Sequence, residues 1–306
     1  MIQINAKEAY MLLKIEEKTL YNWINEGKLQ KYESDKGSIL LDKKEVLRQR
    51  PTVITFFNQK GGVGKTSCSI LLSDYYDAKD YKVLILDLDQ QGNLSKTFFS
   101  YDELKNSLSL YDYLENRTPL LKIIKKYSEN IDIIPASIKL SRKDNIDTSV
   151  LIEYKNDFAS VFKKYELVII DCPPAYNTFS RLGLLLSNYV FCPVLPEPYS
   201  YDGLRDAIYS INQMSRINED YISYKVFVSS HKATRTILHE NFIEKYKDQL
   251  KDKLFHNSVP EFIGIAERAN ISKNIFKVYS EHKAIEKIKL IMEEIENYIY
   301  DERDVK

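Results

Sequence analysis

Three stretches hold residues whose types and spacing could do phosphate chemistry. The first is Phe57-Asn58-Gln59-Lys60-Gly61-Gly62-Val63-Gly64-Lys65-Thr66-Ser67. Its glycines free the backbone to curl, so that successive N–H groups point inward as an anion nest. A helix starting near Gly64 would add its N-terminal dipole. The Lys65 ammonium can reach β- and γ-phosphates, and the Thr66 hydroxyl can bind Mg²⁺. The ordinary phosphate loop needs Gly five positions before the Gly of Gly-Lys-Thr, where Gln59 stands here. What is present is the deviant form Lys-Gly-Gly-x-Gly-Lys-Thr, with a second lysine at Lys60. The second stretch, Val83 to Asn93, ends an apolar run in Asp87-Leu88-Asp89. The third, Leu167-Val168-Ile169-Ile170-Asp171-Cys172-Pro173-Pro174, ends another in Asp171. Open α/β sheets place ligands at the carboxyl ends of their strands, so these carboxylates suit an Mg²⁺-nucleotide site. An apolar run ending in Asp means little alone; the phosphate loop upstream gives it weight.

The elements that must position these residues are legible around them. Mostly apolar runs at Val53–Phe57, Val83–Leu86, Ile131–Ile134, Leu167–Ile170, Tyr189–Cys192 and Val226–Val228 read as strands buried on both faces. Helical stretches lie between most of them. The pattern implies an α/β fold with a mostly parallel, doubly wound sheet over residues 51–306.

Residues 1–50 read as a separate, mainly helical domain. Asn5 and Glu8 form a capping-box pair. Ala6, Ala9, Tyr10, Leu12 and Leu13 give the first helix an apolar face. A second helix runs from about Glu17 to Asn25 with Leu20, Trp23 and Ile24 inward. Gly27 suits the left-handed position that ends it. Lys36-Gly37-Ser38 reads as a hairpin tip, and Lys43–Arg48 as a closing helical turn. This unit resembles the winged helix-turn-helix modules of MerR-like and excisionase-like DNA-binding proteins. That resemblance implies that its second helix enters a major groove with Lys18, Thr19, Tyr21 and Asn22 toward DNA.

From residue 52 to about 300 the chain resembles ParA-type partition ATPases, in the group that contains MinD and the nitrogenase iron protein. Residues 60–66, Asp87 to Asn93, and Asp171-Cys172-Pro173-Pro174 carry the match. It continues through Pro193 to Ser200 and Gly203-Leu204, with weaker echoes at Thr234-Arg235-Thr236, Val259-Pro260 and Ala266 to Ala269. Gln90 stands where the family commonly has Pro, and Ser272-Lys273-Asn274 where it has Gly-Lys-Pro. The resemblance implies ATP and Mg²⁺ as cofactors and assigns roles. Gly61, Gly62, Val63, Gly64, Lys65, Thr66 and Ser67 cradle phosphate. Lys60 crosses to the partner's nucleotide in an ATP-bound homodimer. Thr66 ligates Mg²⁺, Asp171 holds it through water, and Asp87 supports that shell. Asp89 orients the attacking water. Pro196 and Tyr199 lie beside the adenine. It further implies a weak ATPase that binds DNA nonspecifically, is stimulated by a ParB-like centromere-binding protein, and is cytoplasmic and nucleoid-associated. The N-terminal module would add autoregulation at a specific operator. The alternative is an ATP-switched transcriptional or replication regulator that moves no cargo.

Composition narrows the field. Apolar residues make up 44% and charged residues 29%, which fits a globular chain rather than a disordered one. Forty-four basic and forty-four acidic side chains cancel. Any DNA surface must therefore be a local patch. Residues 225–289 hold thirteen Lys or Arg against eight Asp or Glu. Arg235, Arg268, Lys273 and Lys277 are the candidate phosphate contacts there. The amphipathic stretch Ala284–Ile295 carries Glu286, Glu293 and Glu294, with Glu296, Asp301, Glu302 and Asp304 beyond. Anionic lipid would repel it, so it reads as a packed helix rather than a membrane anchor. Cys68, Cys172 and Cys192 are scattered in apolar stretches, against a disulfide framework or a shared iron–sulfur cluster.

Overall fold

The chain was described from a computed structural model, which covers residues 3–13, 15–34, 37–198, 200–218, 222–229, 237–271 and 273–304. It divides into two compact units: residues 53–294, and residues 1–52 together with 295–306.

In the larger unit the apolar runs become buried strands. They are β4 (Thr52–Phe56), β5 (Val83–Asp87), β6 (Lys125–Lys126), β7 (Ile131–Ile134), β8 (Leu167–Asp171), β9 (Tyr189–Val194) and β10 (Ser223–Val228). Every residue of β4, β5, β8 and β9 is buried, as a sheet covered on both faces requires. The sheet order is β10-β9-β4-β8-β5-β7-β6. The pairs β10–β9, β9–β4, β8–β5 and β5–β7 are parallel. Strand β6 was not foreseen; it pairs antiparallel with β7 at the edge. Because β8 lies between β4 and β5, the loops after these three strands meet at one end. In that register Asp87 stands opposite Asp171.

The helix over Thr178–Leu186 seals the sheet behind those carboxylates. Gly183 lets it come close. A Cβ there would stand 2.6 Å from Cys172 Sγ and 3.2 Å from Leu88 Cδ1. Ala normally stabilises a helix interior relative to Gly by about 1 kcal/mol. Here the overlap reverses the sign, because overpacking costs about 1–3 kcal/mol. Gly183→Ala should therefore lower the melting temperature, which a thermal scan would show.

The smaller unit has an antiparallel sheet of order β1-β3-β2. Its strands are β1 (Gln3–Asn5), β2 (Lys31–Glu33) and β3 (Ile39–Asp42). Helices α1 (Ala6–Leu13), α2 (Glu17–Asn25) and α3 (Lys43–Arg48) accompany it. The capping box forms: the Asn5 N–H donates to Glu8 Oε2 at 2.8 Å, and the Glu8 N–H to Asn5 Oδ1 at 3.0 Å. Gly27 has φ 75°. The Ser34 N–H donates to the Ser38 carbonyl at 2.9 Å, while Lys36 of the expected tip lies outside the described residues. Ala9, Leu13, Leu20, Leu29, Leu41 and Val46 form its core. The first strand was not expected, since Gln3-Ile4-Asn5 has one apolar residue and little pattern.

The helix over Lys283–Asp304 is continuous, and Ile285, Ile288, Ile291 and Met292 are fully buried along one face. Among the described residues no helix is long and apolar enough to cross a membrane.

Candidate functional site

The loop after β4 is tied down before it curls. Asn58 is fully buried. Its amide donates to the Pro193 carbonyl at 2.9 Å, and its Oδ1 accepts the Lys60 N–H at 2.9 Å. Gly62 and Gly64 then take φ 73° and 92°, a left-handed backbone that side chains resist. Helix α4 (Lys65–Asp77) starts immediately after Gly64. The loop's far side is pinned by Ser229, whose hydroxyl donates to the Val63 carbonyl at 2.6 Å. Gly61 and Gly62 are exposed, Val63 is fully buried, and Gly64, Thr66 and Ser67 are half-buried. A left-handed nest opening onto a helix N-terminus is an anion site by construction.

The two lysines face different ways. Lys65 is buried, and its Nζ donates to the Lys60 carbonyl at 3.0 Å. Burial pulls its pKa down, while Asp171 and Asp89 hold it up. Lys60 sits at the mouth of the loop, with its Nζ 2.5 Å from Glu197 Oε1. The helix over Ser200–Ser215 packs tightly there, since a Cβ on Gly203 would lie 3.1 Å from Lys60 Cβ.

The carboxylates converge on the same end of the sheet. The Thr66 hydroxyl donates to Asp171 Oδ2 at 2.7 Å, and Ser69 to Asp171 Oδ1 at 3.3 Å. Asp87 accepts the Asp89 N–H on Oδ1 at 3.1 Å. Its Oδ2 accepts the Ser95 N–H at 2.9 Å and the Ser95 hydroxyl at 2.6 Å. Asp87 thus clamps the Asp89–Ser95 turn. Asp89 Oδ1 accepts the Gln91 N–H at 2.9 Å, which orients its carboxylate. Sequence reasoning missed Asn58, Ser69, Ser95, Glu197 and Ser229. Each is an ordinary polar residue whose partner is set by tertiary contact.

Oxygen donors from Thr66 and Asp171 beside a phosphate nest fit Mg²⁺, which takes one or two carboxylates plus substrate phosphates rather than an all-protein cage. Among the described residues no cluster of three or more His, Cys, Asp or Glu could hold a metal. Bound Mg²⁺ would supply neutralisation of phosphate charge.

Without such a cation the carboxylates are costly neighbours. Burial, then the Asp87 charge, pushes Asp171 up to about 8. Burial pushes Asp87 up to about 6 despite the Ser95 hydrogen bonds. An acid whose folded pKa is raised holds a proton that the unfolded chain has released. Stability then falls as pH climbs from about 4 through 8. Asn cannot titrate, so Asp171→Asn should melt a few degrees above wild type at pH 8–9 in EDTA without nucleotide. The difference should vanish toward pH 5, and turnover should be lost. Melting scans across pH check this; a variant less stable at pH 9 contradicts it.

Other expected positions fall differently. Pro196 is buried two residues after β9, and Tyr199 lies outside the described residues, as does Arg235. Lys18, Tyr21 and Asn22 are exposed on α2, with Thr19 half-buried. Lys273 is exposed, and the Lys277 side chain is 67% exposed. Arg268 is a correction: it is 1% exposed and makes a paired hydrogen bond to Asp74, so it cannot touch DNA. All three cysteines are buried and free.

A family model described as an AAA domain matches residues 51–223. The chromosome-partitioning ATPase Soj of Treponema pallidum is 30% identical over 221 residues, covering 70% of this chain and 85% of that protein. The chain belongs to the ParA/Soj-type P-loop ATPase family. The sporulation initiation inhibitor protein Soj of Bacillus subtilis is 29% identical over 228 residues, covering 73% of this chain and 89% of its own. Among solved structures, cobyrinic acid a,c-diamide synthase from Mycobacterium smegmatis, with bound ATP analogue and magnesium, has a TM-score of 0.63 at 20% identity. It covers 76% of this chain and 98% of that one. At that identity the likeness concerns the fold. The α/β architecture with a mostly parallel sheet is thus the family's.

Proposed function

We propose that this chain is the ATPase of a DNA-partition system. It binds ATP with Mg²⁺ and pairs with a second copy. The pair holds DNA nonspecifically, and hydrolysis and release follow when a ParB-like centromere-binding partner engages it on the nucleoid. The observation that carries the reading is the pair of lysines at one phosphate loop. Lys65 turns inward to the nest, while Lys60 points out of it to Glu197. The resemblance to ParA-type ATPases implies that this second lysine serves a nucleotide held by a facing copy, and its place at the rim beside Glu197 is compatible with that role. Family membership supports the partition role, since the Treponema relative is a chromosome-partitioning ATPase.

Within the chain's own residues, the nest N–H groups and Lys65 bind and orient the phosphates. Asp171 and Thr66 would hold the Mg²⁺, Asp89 would align water, and Asp87 keeps the Asp89 turn in place. Phosphoryl transfer needs mainly such positioning and charge neutralisation.

A second DNA-binding activity is supported by the smaller unit. What supports the reading is that helix α2 exposes Lys18, Tyr21 and Asn22 and that β2 and β3 pair antiparallel in the same unit. We read this unit as a winged helix-turn-helix that recognises an operator and regulates the chain's own synthesis.

The test is fluorescence anisotropy of a labelled random-sequence duplex with the full chain in Mg²⁺ plus ATP, ADP or no nucleotide. ATP should tighten binding at least about tenfold, with a steep loss on adding salt. Changing Lys18, Tyr21 and Asn22 to Ala should leave this binding intact and remove only operator binding. Duplex binding that ignores nucleotide and disappears with those three side chains would overturn the partition reading in favour of a DNA-binding regulator.

A further inference from the structure

One buried charge cluster lies apart from the nucleotide site, yet touches two elements that start in it. Arg268, on the helix over Ile263–Ile271, donates from Nε to Asp74 Oδ2 at 2.9 Å and from Nη2 to Asp74 Oδ1 at 3.2 Å. Its Nη1 donates to Tyr127 Oη at 3.2 Å. The guanidinium lies over the Phe98 ring at 5.0 Å and the Tyr127 ring at 5.5 Å. Both members of the ion pair are buried, at 1% and 0% exposure.

The addresses of these partners matter. Asp74 sits on α4, nine residues after Lys65, or about 14 Å along the axis at 1.5 Å per residue. Phe98 ends the helix over Asn93–Phe98, which begins one residue after the Asp89 turn and carries Ser95, the clamp on Asp87. One guanidinium therefore grips the distal end of the phosphate-loop helix and the distal end of the helix behind Asp89.

Asp74 also organises the segment beyond Arg268. Its Oδ2 accepts the Ile275 N–H at 2.8 Å, and its carbonyl accepts the Asn274 amide at 2.7 Å. That amide also donates to Asp77 Oδ2 at 2.7 Å. The segment held this way presents Lys273 and Lys277 to solvent.

Stability alone is a weak reason for such a pair. Desolvating two charges costs about as much as their attraction returns, and apolar replacements of similar volume are commonly neutral or stabilising. What the pair supplies is a fixed registration between three segments. We propose that Arg268 is a positioning residue that couples the nucleotide site to the Lys273–Lys277 surface, so that the state of the phosphate loop and the Asp89 turn sets how that surface meets DNA. This rests on the DNA-binding reading above. The coupling is mechanical: a shift of α4 or of the helix behind Asp89 carries Asp74 or Phe98 with it, and the rigid guanidinium passes the shift to the following segment.

The test uses the full chain and the double variant D74N/R268M. The amide that replaces the Asp74 carboxylate keeps an acceptor for the Ile275 N–H. The thioether chain that replaces the Arg268 guanidinium keeps contact with Phe98 and Tyr127 without leaving a lone buried charge. The readouts are melting temperature, affinity for a fluorescent ATP analogue, duplex affinity with ATP and with ADP, and hydrogen exchange over residues 263–278. The double variant should fold and bind nucleotide like wild type. Its duplex affinity should no longer differ between ATP and ADP by more than about twofold, and the nucleotide-dependent exchange of 263–278 should vanish. Arg268→Lys, which keeps the charge but not the paired geometry, should restore part of the discrimination lost in Arg268→Met. Full wild-type discrimination in a well-folded double variant would overturn the proposal. So would a variant that loses stability and all duplex binding together, since that is a merely structural role. If wild type itself binds duplex equally with ATP and ADP, the parent reading fails, and unchanged exchange over 263–278 would then sink the coupling as well.

Discussion

Replacing Asp89 with Ala should reduce ATP turnover by about two to three orders of magnitude while leaving ATP binding near wild type. Asp89 closes the turn after β5, and its Oδ1 takes the Gln91 N–H at 2.9 Å. Its backbone N–H is in turn held by Asp87. A carboxylate held by the Gln91 N–H, on a residue whose backbone is held by Asp87, is suited to orienting a water. It does not build the nest, so binding should survive its loss. Asp89→Asn separates geometry from charge: it keeps an acceptor for Gln91 and loses the anion. Steady-state turnover and titration with a fluorescent ATP analogue check both variants. Near-wild-type turnover in Asp89→Ala would remove Asp89 from the reaction.

The second large effect concerns Lys60. Its backbone carbonyl serves Lys65 within the same loop, whereas its side chain leaves the loop for Glu197. Lys60→Ala deletes the second function and spares the first. A single copy should therefore bind ATP with unchanged affinity. If Lys60 serves a facing nucleotide as proposed, turnover should fall about a hundredfold or more, because the neutralising cation is lost. ATP-dependent tightening on duplex DNA should be lost with it. Weakened ATP binding by the isolated copy would mean that Lys60 acts within its own site instead.

Much of this site was legible because its parts are contiguous. Glycines, lysines and a threonine within one loop specify a backbone path and an anion at once, and both carboxylate stretches end long apolar runs. Helix α2 was expected over Glu17–Asn25 and occupies those residues. Its signals, a closing Gly27 and an inward Leu20, are local. The failures are non-local. Strand β6 is Lys125-Lys126, two residues with no strand pattern, and exists only because β7 offers an edge. Arg268 looked like a solvated cation, since its partner Asp74 lies 194 positions away. Tertiary contact decided each of these, and no periodicity carries it.

The central claim is that a second copy completes the site. Complementation between Lys60→Ala and Asp89→Ala tests it most directly. If Lys60 serves the facing nucleotide, a mixed pair contains one site with both Asp89 and an incoming Lys60. An equimolar mixture should then recover about a quarter of wild-type turnover, since half the pairs are mixed and each has one intact site. A mixture as inactive as its two components would contradict the account and return Lys60 to its own subunit.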